Sequence, residues 1–346
     1  MTALSQDANA RLRRARAFVA GALLLVLSAA AFAQAPDRPV AITVTAQRLA
    51  AFDHGDPSRR TFGMLEFRGG LALTSAFRHF GGLSALRVQG DGANFISLSD
   101  RGWWFKGRIV YDGTSPAGIV DAEMAPMLGP DGKTLASRRW YDTESLAQDG
   151  DAFYVGIERV NRIVRFDYGR DGLLARGQPI DTPPGVRTLP NNKGLESLVF
   201  VPRNLPLGGT LIAISERGLD RDGNIRAFLI GGPRPGAFAV RRSADFDISD
   251  AAQLPAGDLL ILERKFSWTT GLFIRLRRIA LGDIRPGALV DGPVLFDANL
   301  GHAIDNMEGL SVHRGPSGES VLTMISDDNF SPLQRTLLLQ FTLAAP

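Results

Sequence analysis

The sequence predicts an all-β protein, a β-propeller of six four-stranded blades around a central channel. Three observations predict it. A unit of acidic or hydroxyl residue, small residue, Leu, turn, apolar strand and acidic residue recurs five times. Its starting positions, 84, 144, 196, 250 and 308, are spaced by 60, 52, 54 and 58 residues, a mean of 56. That spacing gives each copy room for about four short strands, the size of a propeller blade. The 38 Gly and 20 Pro are spread along all 346 residues, which favours short strands joined by turns. Pro183, Pro184, Pro202, Pro206, Pro233 and Pro235 interrupt most helical candidates. A sandwich or a two-domain β protein is the alternative, but neither explains a regular recurrence.

The chain opens on a basic run, Arg11, Arg13, Arg14 and Arg16, followed by an apolar stretch from Phe18 to Ala31 and a small-x-small site at Ala31-Phe32-Ala33. This reads as a secretory signal peptide over residues 1–33, with a periplasmic or secreted product. A retained membrane anchor is the weaker reading, because about 20 apolar residues are needed to span a bilayer and Gln34 to Asp37 ends the run. Arg13-Arg14 suggests twin-arginine export, but Phe18 lies too far downstream for the usual motif. Residues 34–41 read as a short linker, and residues 42–346 as a single propeller domain.

Ala41 to Ala46 alternates as a strand, and the segment from 40 to 80 is strand-rich enough to suggest the sixth blade. Its strand is expected to complete the last blade beside Leu337 to Leu343. The five copies follow. The first runs from Gly82 to Leu86, through Gly90-Asp91-Gly92, to Phe95 to Gly102; the second from Asp142 to Leu146, through Gln148-Asp149-Gly150, to Phe153 to Arg159. The third joins Gly194 to Leu198 with Leu211 to Gly218, and the fourth joins Ile248-Ser249-Asp250 with Leu259 to Arg264. The fifth, Asp305 to Thr336, is the most complete: Asp305 and Glu308 lead into Leu310 and Val312, Gly315 to Gly318 turn the chain, and Val321 to Ile325 end on Ser326, Asp327 and Asp328.

Charge excludes some partners. Removing residues 1–33 takes four Arg and one Asp from 39 basic and 36 acidic residues, leaving 35 of each. A formally neutral chain does not suggest nucleic acid. There is no cysteine, hence no disulfide framework and no thiolate site, so a bound metal would be held by oxygen or by the four histidines. A monomer is the expected form.

In a propeller the first strand of each blade lines the channel, so residues at its start converge on one mouth. Glu144, Glu196, Asp250 and Glu308 hold equivalent places and are expected to face one another. The following strand ends add Asp100, Glu158, Glu216, Glu263 and Asp327. Carboxylates brought this close have raised pKa values unless cations compensate. Two compensators are open, a hard cation such as Ca²⁺, or the Arg that follows directly at 101, 159, 217 and 264. In the second case the acid–Arg pairs are blade-to-blade salt bridges without a ligand.

The strand-opening EGL and ESL, the run Glu263-Arg264-Lys265, and DNMEGL with SDDNFSPLQRTLLL at 326–339 resemble the phytase-like family described as "esterase-like activity of phytase", over about residues 60–343. Asp142 to Phe166 and Asp305 to Asp328 resemble, more distantly, calcium-dependent β-propeller phytases, in which similar carboxylates hold calcium ions that bridge substrate phosphate. The resemblance implies Glu144, Glu158, Glu196, Glu308 and Asp327 as metal ligands. If a phosphoester or other ester is cleaved, the chemistry is expected to be metal-assisted with no side-chain nucleophile, with Glu196 and Glu308 at the catalytic centre and Arg159, Lys193, Arg217 and Arg264 neutralising the anionic group of a small anionic or ester substrate. A non-enzymatic ligand- or partner-binding propeller and a lactonase-like hydrolase are the alternatives.

Other catalytic signatures are missing from the sequence: no G-x-S-x-G, no S-x-x-K, no H-E-x-x-H. Gly129 to Thr134 is a turn, since Met127 stands where a phosphate loop needs Gly. His54 and His313 are expected at the surface; His79 and His302 lie close enough to repeat starts to reach the channel mouth, but are expected first as surface or hydrogen-bonded structural residues. Trp103, Trp104 and Trp268 are expected to pack within their blades.

Overall fold

The computed structural model describes residues 38–344. The expected leader and the first half of the linker lie outside the described residues. Within them the chain forms five sheets, antiparallel except where Leu289–Val290 pairs in parallel with Gly236–Val240, and the inner strands of consecutive sheets touch in a closed cycle, Leu83–Val88, Thr143–Asp149, Leu195–Phe200, Asp247–Gln253, Asn306–Arg314 and back to the first. This is a five-bladed propeller, one blade fewer than the sequence suggests.

Each copy of the repeat builds one blade by adding strands outward. Blade 1 continues through Asn94–Ser99, Trp103–Asp112 and Ser115–Pro126, and blade 2 through Ala152–Ile157, Arg162–Phe166 and Gln178–Pro179. Blade 3 continues through Thr210–Leu219, Ile225–Gly231 and Gly236–Val240, and blade 4 through Leu259–Ser267, Gly271–Ile279 and Val294–Asn299. Blade 5 takes Ser320–Asp327 and Thr336–Leu343 from its own copy and its fourth strand, Leu65–Thr74, from the other end of the chain. The antiparallel ladder from Thr336↔Leu73 to Leu343↔Leu65 closes the ring; the early part of the chain completes the last blade as expected, but through Leu65–Thr74 rather than through the Ala41 to Ala46 segment.

The absent sixth blade has a physical reason. Residues 40–80 hold one long strand and three short ones, and the short ones add to edges: Val40–Ala41 pairs with Met124 and Glu123 of blade 1, Thr45–Arg48 with Leu71 to Thr74 of blade 5. Four strands that each find an existing edge leave none to start a sheet. Val40 and Ala41 are therefore strand residues rather than linker.

Stability comes from burial between blades. The buried apolar residues fall into five clusters, one for each interface of neighbouring blades, with Leu71 and Leu83 across the blade 5–1 seam and Ile248 and Ile212 across the 3–4 seam. Trp103 and Trp104 lie in two of these clusters. At one point the approach is close enough to require Gly. A Cβ on Gly309 would come within 2.6 Å of Ile325 Cγ2 and 3.1 Å of the blade 1 backbone at Ala85 and Leu86.

Arg87, from the inner strand of blade 1, crosses the channel. Its guanidinium donates to Leu198 O and Leu310 O at 2.9 Å each and lies 3.5 Å from Asp250 Oδ2, so it ties blades 3, 4 and 5 to blade 1. The channel mouth is thereby a cup with a floor.

Candidate functional site

The mouth is built by one device repeated five times. In each blade the ladder between the first two strands slips by one residue, and the extra residue is Ser84, Glu144, Glu196, Ser249 or Glu308. A β-bulge re-aims the side chain it carries. Here it turns three glutamates and two serines out of the strict alternation of the strand. The second strand supplies the next ring at its end, Asp100, Glu158, Glu216, Arg264 and Asp327, each one residue beyond the partner of the bulge. Seven carboxylates and one arginine from ten positions thus share a cavity of about 740 Å³.

Blade 4 departs from the expected register by one residue at both places. Ser249, not Asp250, is the bulge, and Arg264, not Glu263, takes the ring position. Because strand side chains alternate, a slip of one residue sends them elsewhere. Asp250 is buried deeper in the channel, accepting from Leu310 N at 2.8 Å and Ala251 N at 2.7 Å beside Arg87. Glu263 is buried inside blade 4 against Arg277, whose Nε donates to its Oε2 at 2.8 Å. Neither lines the mouth, which corrects the expectation for both.

Arg264 is the hub. One terminal nitrogen bonds Glu308 Oε1 and Asn306 Oδ1; the other lies 3.2 Å from Glu216 Oε1 and 3.6 Å from Glu196 Oε1. Lys193 Nζ donates to both oxygens of Glu216, at 3.0 and 2.8 Å. Glu158 accepts from Gly194 N at 2.7 Å. Buried oxygens of Glu158, Glu196 and Glu216 lie within 4.8 Å of one another.

The two cations do not satisfy the cluster. Burial raises Glu144 well above the usual carboxylate range, and Glu308, Asp100 and Glu158 add repulsion. Burial raises Glu196 well above it too, with Glu216 and Glu144 adding and only Arg264 opposing. Glu158 is pushed up to about 7 and Asp100 to about 6, burial leading in both cases. Asp327 is pushed well up by burial and by Glu308. Glu308 rises by burial against the pull of Arg264. Burial works against charge on Arg264, but Glu308, Glu196 and Glu216 outweigh it and hold the guanidinium ionised more firmly than usual. An all-oxygen, anionic donor set of this kind fits a hard divalent cation.

Of the residues expected at the site, Glu144, Glu158, Glu196, Glu308, Asp327, Lys193 and Arg264 line one cavity. Arg159 and Arg217 lie outside it: Arg159 is half-exposed over the Tyr141 ring, 4.0 Å from Asp142, and Arg217 Nε bonds Asp247 at 2.8 Å. Arg101 stacks on Phe330. Asp328 serves the turn below the rim, accepting from Gly82 N, Phe330 N and Thr336 Oγ1. His79 stacks on Trp103, ring centroids 4.1 Å apart, and His302 packs on Phe52, so neither reaches the mouth. His313 is buried, against the expectation of a surface residue, because it extends the inner strand of blade 5.

The structure adds residues that the repeat did not indicate. Asn306 bridges Arg264 and Glu308, donating to Glu308 Oε1 at 3.0 Å. Phe266, Trp268, Leu300 and Leu333 form an apolar rim, and Trp268 is 94% exposed rather than packed in its blade. The signal for Phe266 and Trp268 was their place two and four residues after Arg264. The signal for Leu333 was the extra segment from Asn329 to Arg335, which the other copies lack.

The sequence model of the phytase-like family, "esterase-like activity of phytase", matches residues 78–330. No curated protein matches the chain. Among solved structures, a glutaminyl cyclase from Myxococcus xanthus is 13% identical with a TM-score of 0.39, covering 77% of this chain and 92% of that one. The structure described as U3-55K is 13% identical with a TM-score of 0.36, covering 75% and 96%. The β-propeller domain of Cps50 (Swd1) from Myceliophteria thermophila is 12% identical with a TM-score of 0.34, covering 72% and 67%.

Proposed function

Since this chain belongs to the phytase-like family, we propose that its carboxylate-lined mouth is a hydrolytic centre for esters or phosphoesters that operates with a bound hard cation, calcium being the expected one. One observation carries the reading. Nine carboxylates line one cavity, seven of them from the two rings, the only described cations there are Arg264 and Lys193, and three of the carboxylates offer oxygens within 4.8 Å of one another.

Glu158, Glu196 and Glu216 would hold the ion, with Glu144, Glu308 and Asp327 completing the set around it. When bound, such an ion polarises a substrate oxygen and acidifies a water molecule, so no side-chain nucleophile is required. The remaining roles belong to the chain. Arg264 and Asn306 fix the Glu308 carboxylate in place. Burial and the repulsion of Glu308, Asp100 and Glu158 raise Glu144 well above the usual carboxylate range, so it would release its proton as the ion is taken up. Lys193, half-exposed at the rim, neutralises an anionic group on the substrate. Arg87 bounds the cup from below through its bonds to Leu310 O and Leu198 O. No helix among the described residues is long and apolar enough to cross a membrane, and the basic–apolar leader at residues 1–33 supports export of the enzyme.

The test is calcium titration by calorimetry, followed by phosphate release and p-nitrophenyl ester cleavage in wild type, Glu196→Gln and Glu308→Gln. Calcium binding, with cleavage lost in both variants, is expected. No binding, or unchanged rates in both variants, refutes the reading.

A further inference from the structure

The geometry points to a substrate with an apolar arm of acyl or aryl type, seated on the rim formed by Phe266, Trp268, Leu300 and Leu333, rather than a polyphosphorylated one. This deepens the hydrolytic reading and rests on it for the placement of the reacting group.

The rim and the carboxylates belong to one strand and one cavity. Arg264 and Phe266 lie on the same face of the second strand of blade 4, so the Phe266 ring stands about 7 Å further from the floor. The intervening Lys265 points the other way, donating to Ala244 O. Trp268 sits in the turn that follows, its ring edge-to-face with Phe266 at 5.2 Å. Leu300 comes from the loop leading to blade 5 and Leu333 from the segment unique to blade 5, which places apolar groups on both flanks of the opening. Leu300, Phe266, Leu333 and Trp268 are 58, 60, 91 and 94% exposed. Single exposed apolar side chains are ordinary, but four around one cavity mark a ligand surface.

Charge argues in the same direction. A substrate with several phosphates needs several side-chain cations around it, and the described cavity offers two. Arg264 is held by three carboxylates, which leaves Lys193, bonded to Glu216 at the rim, to face a single anionic group. A single ester or phosphoester group at the floor, with its apolar arm on the rim, matches both halves of the cavity. Its volume of about 740 Å³ is in the range for a small amphiphile.

The experiment has two arms. In the first, wild type and the double variant Trp268→Ala/Leu333→Ser are assayed in calcium with p-nitrophenyl acetate, butyrate and octanoate. In the second, saturation-transfer NMR measures contact of the protein with 2-naphthol, without turnover or metal. The expected result is a kcat/KM that rises with acyl length in wild type and falls about tenfold for the long esters in the variant, with the naphthol signal lost and the melting temperature unchanged. If no ester is cleaved but the naphthol signal still depends on the rim, the hydrolytic reading fails and the apolar subsite stands. Cleavage indifferent to acyl length and to the variant, with an unchanged naphthol signal, overturns this inference and leaves the hydrolytic reading intact.

Discussion

Arg264 and Glu216 occupy the same place in neighbouring blades, and they are bonded to each other, Nη2 to Oε1 at 3.2 Å. The ring of strand ends therefore carries its own counter-ion at one of five equivalent positions. Replacing it tests how much of the acidic mouth that single charge sustains.

Arg264→Met leaves Glu308, Glu216 and Glu196 buried without their shared partner. Removing one member of a buried ion cluster costs about 3–5 kcal/mol. Urea unfolding at pH 8 with chelator is expected to show a loss of that size, reduced by calcium. A variant as stable as wild type in chelator would show that the cluster carries little charge to begin with.

The pH dependence follows from the raised groups. Glu158 titrates near 7, Asp250 near 7 and Asp100 near 6 in the folded protein, above their ordinary values, burial being the main cause. Between the ordinary carboxylate range and those values the folded state binds more protons than the unfolded chain, so stability falls as pH rises. In chelator the melting temperature should climb as pH is lowered from 8 to 5.5. Calcium should stabilise more at pH 8 than at pH 5.5, where protons compete for the same oxygens. A flat profile in chelator would contradict the raised values.

Arg87→Leu strips the buried Asp250 of its cation and removes the tie between blades 1, 3 and 5. The expected loss is again about 3–5 kcal/mol, and Arg87→Leu/Asp250→Leu should recover most of it, since an apolar pair can replace a buried ionic one. Calcium should not rescue the single variant, because Asp250 lies below the cavity. Denaturant midpoints of both variants, with and without calcium, decide this.

Gly309→Ala forces a methyl group toward Ile325 and the blade 1 backbone. Overpacking of this kind costs roughly 1–3 kcal/mol. Glu308 adjoins it, so a drop in calcium affinity is expected along with the drop in melting temperature. A change in neither would mean that the seam between blades 5 and 1 relaxes freely.

The sequence carried the ring and its mouth because a repeat of near-constant length must build the same unit each time. Glu144, Glu196 and Glu308 were legible since each opens an apolar strand. Blade 4 was misjudged by one residue: Ser249-Asp250 and Glu263-Arg264 each offer an acid beside the true position, and spacing alone does not reveal where a bulge inserts its extra residue. Ser249 had a guide in Ser84, the hydroxyl residue at the bulge of blade 1. The blade count failed because Val40 and Thr45 begin strands whose destination is set by free sheet edges far away in sequence. Trp268 was expected inside its blade and stands exposed instead, because exposure depends on the turn that holds it.

Closure of the last blade by Leu65–Thr74 against Thr336–Leu343 also sets an order in time. During synthesis the early strand emerges long before its partner, and its edge stays unsatisfied until almost the whole chain is made. Long-range pairings of this kind fold slowly. Four blades can assemble on the growing chain, but the cup that gathers carboxylates from the first blade and the last exists only after the final strand locks in, so the acidic mouth is the last part of the molecule to come into being.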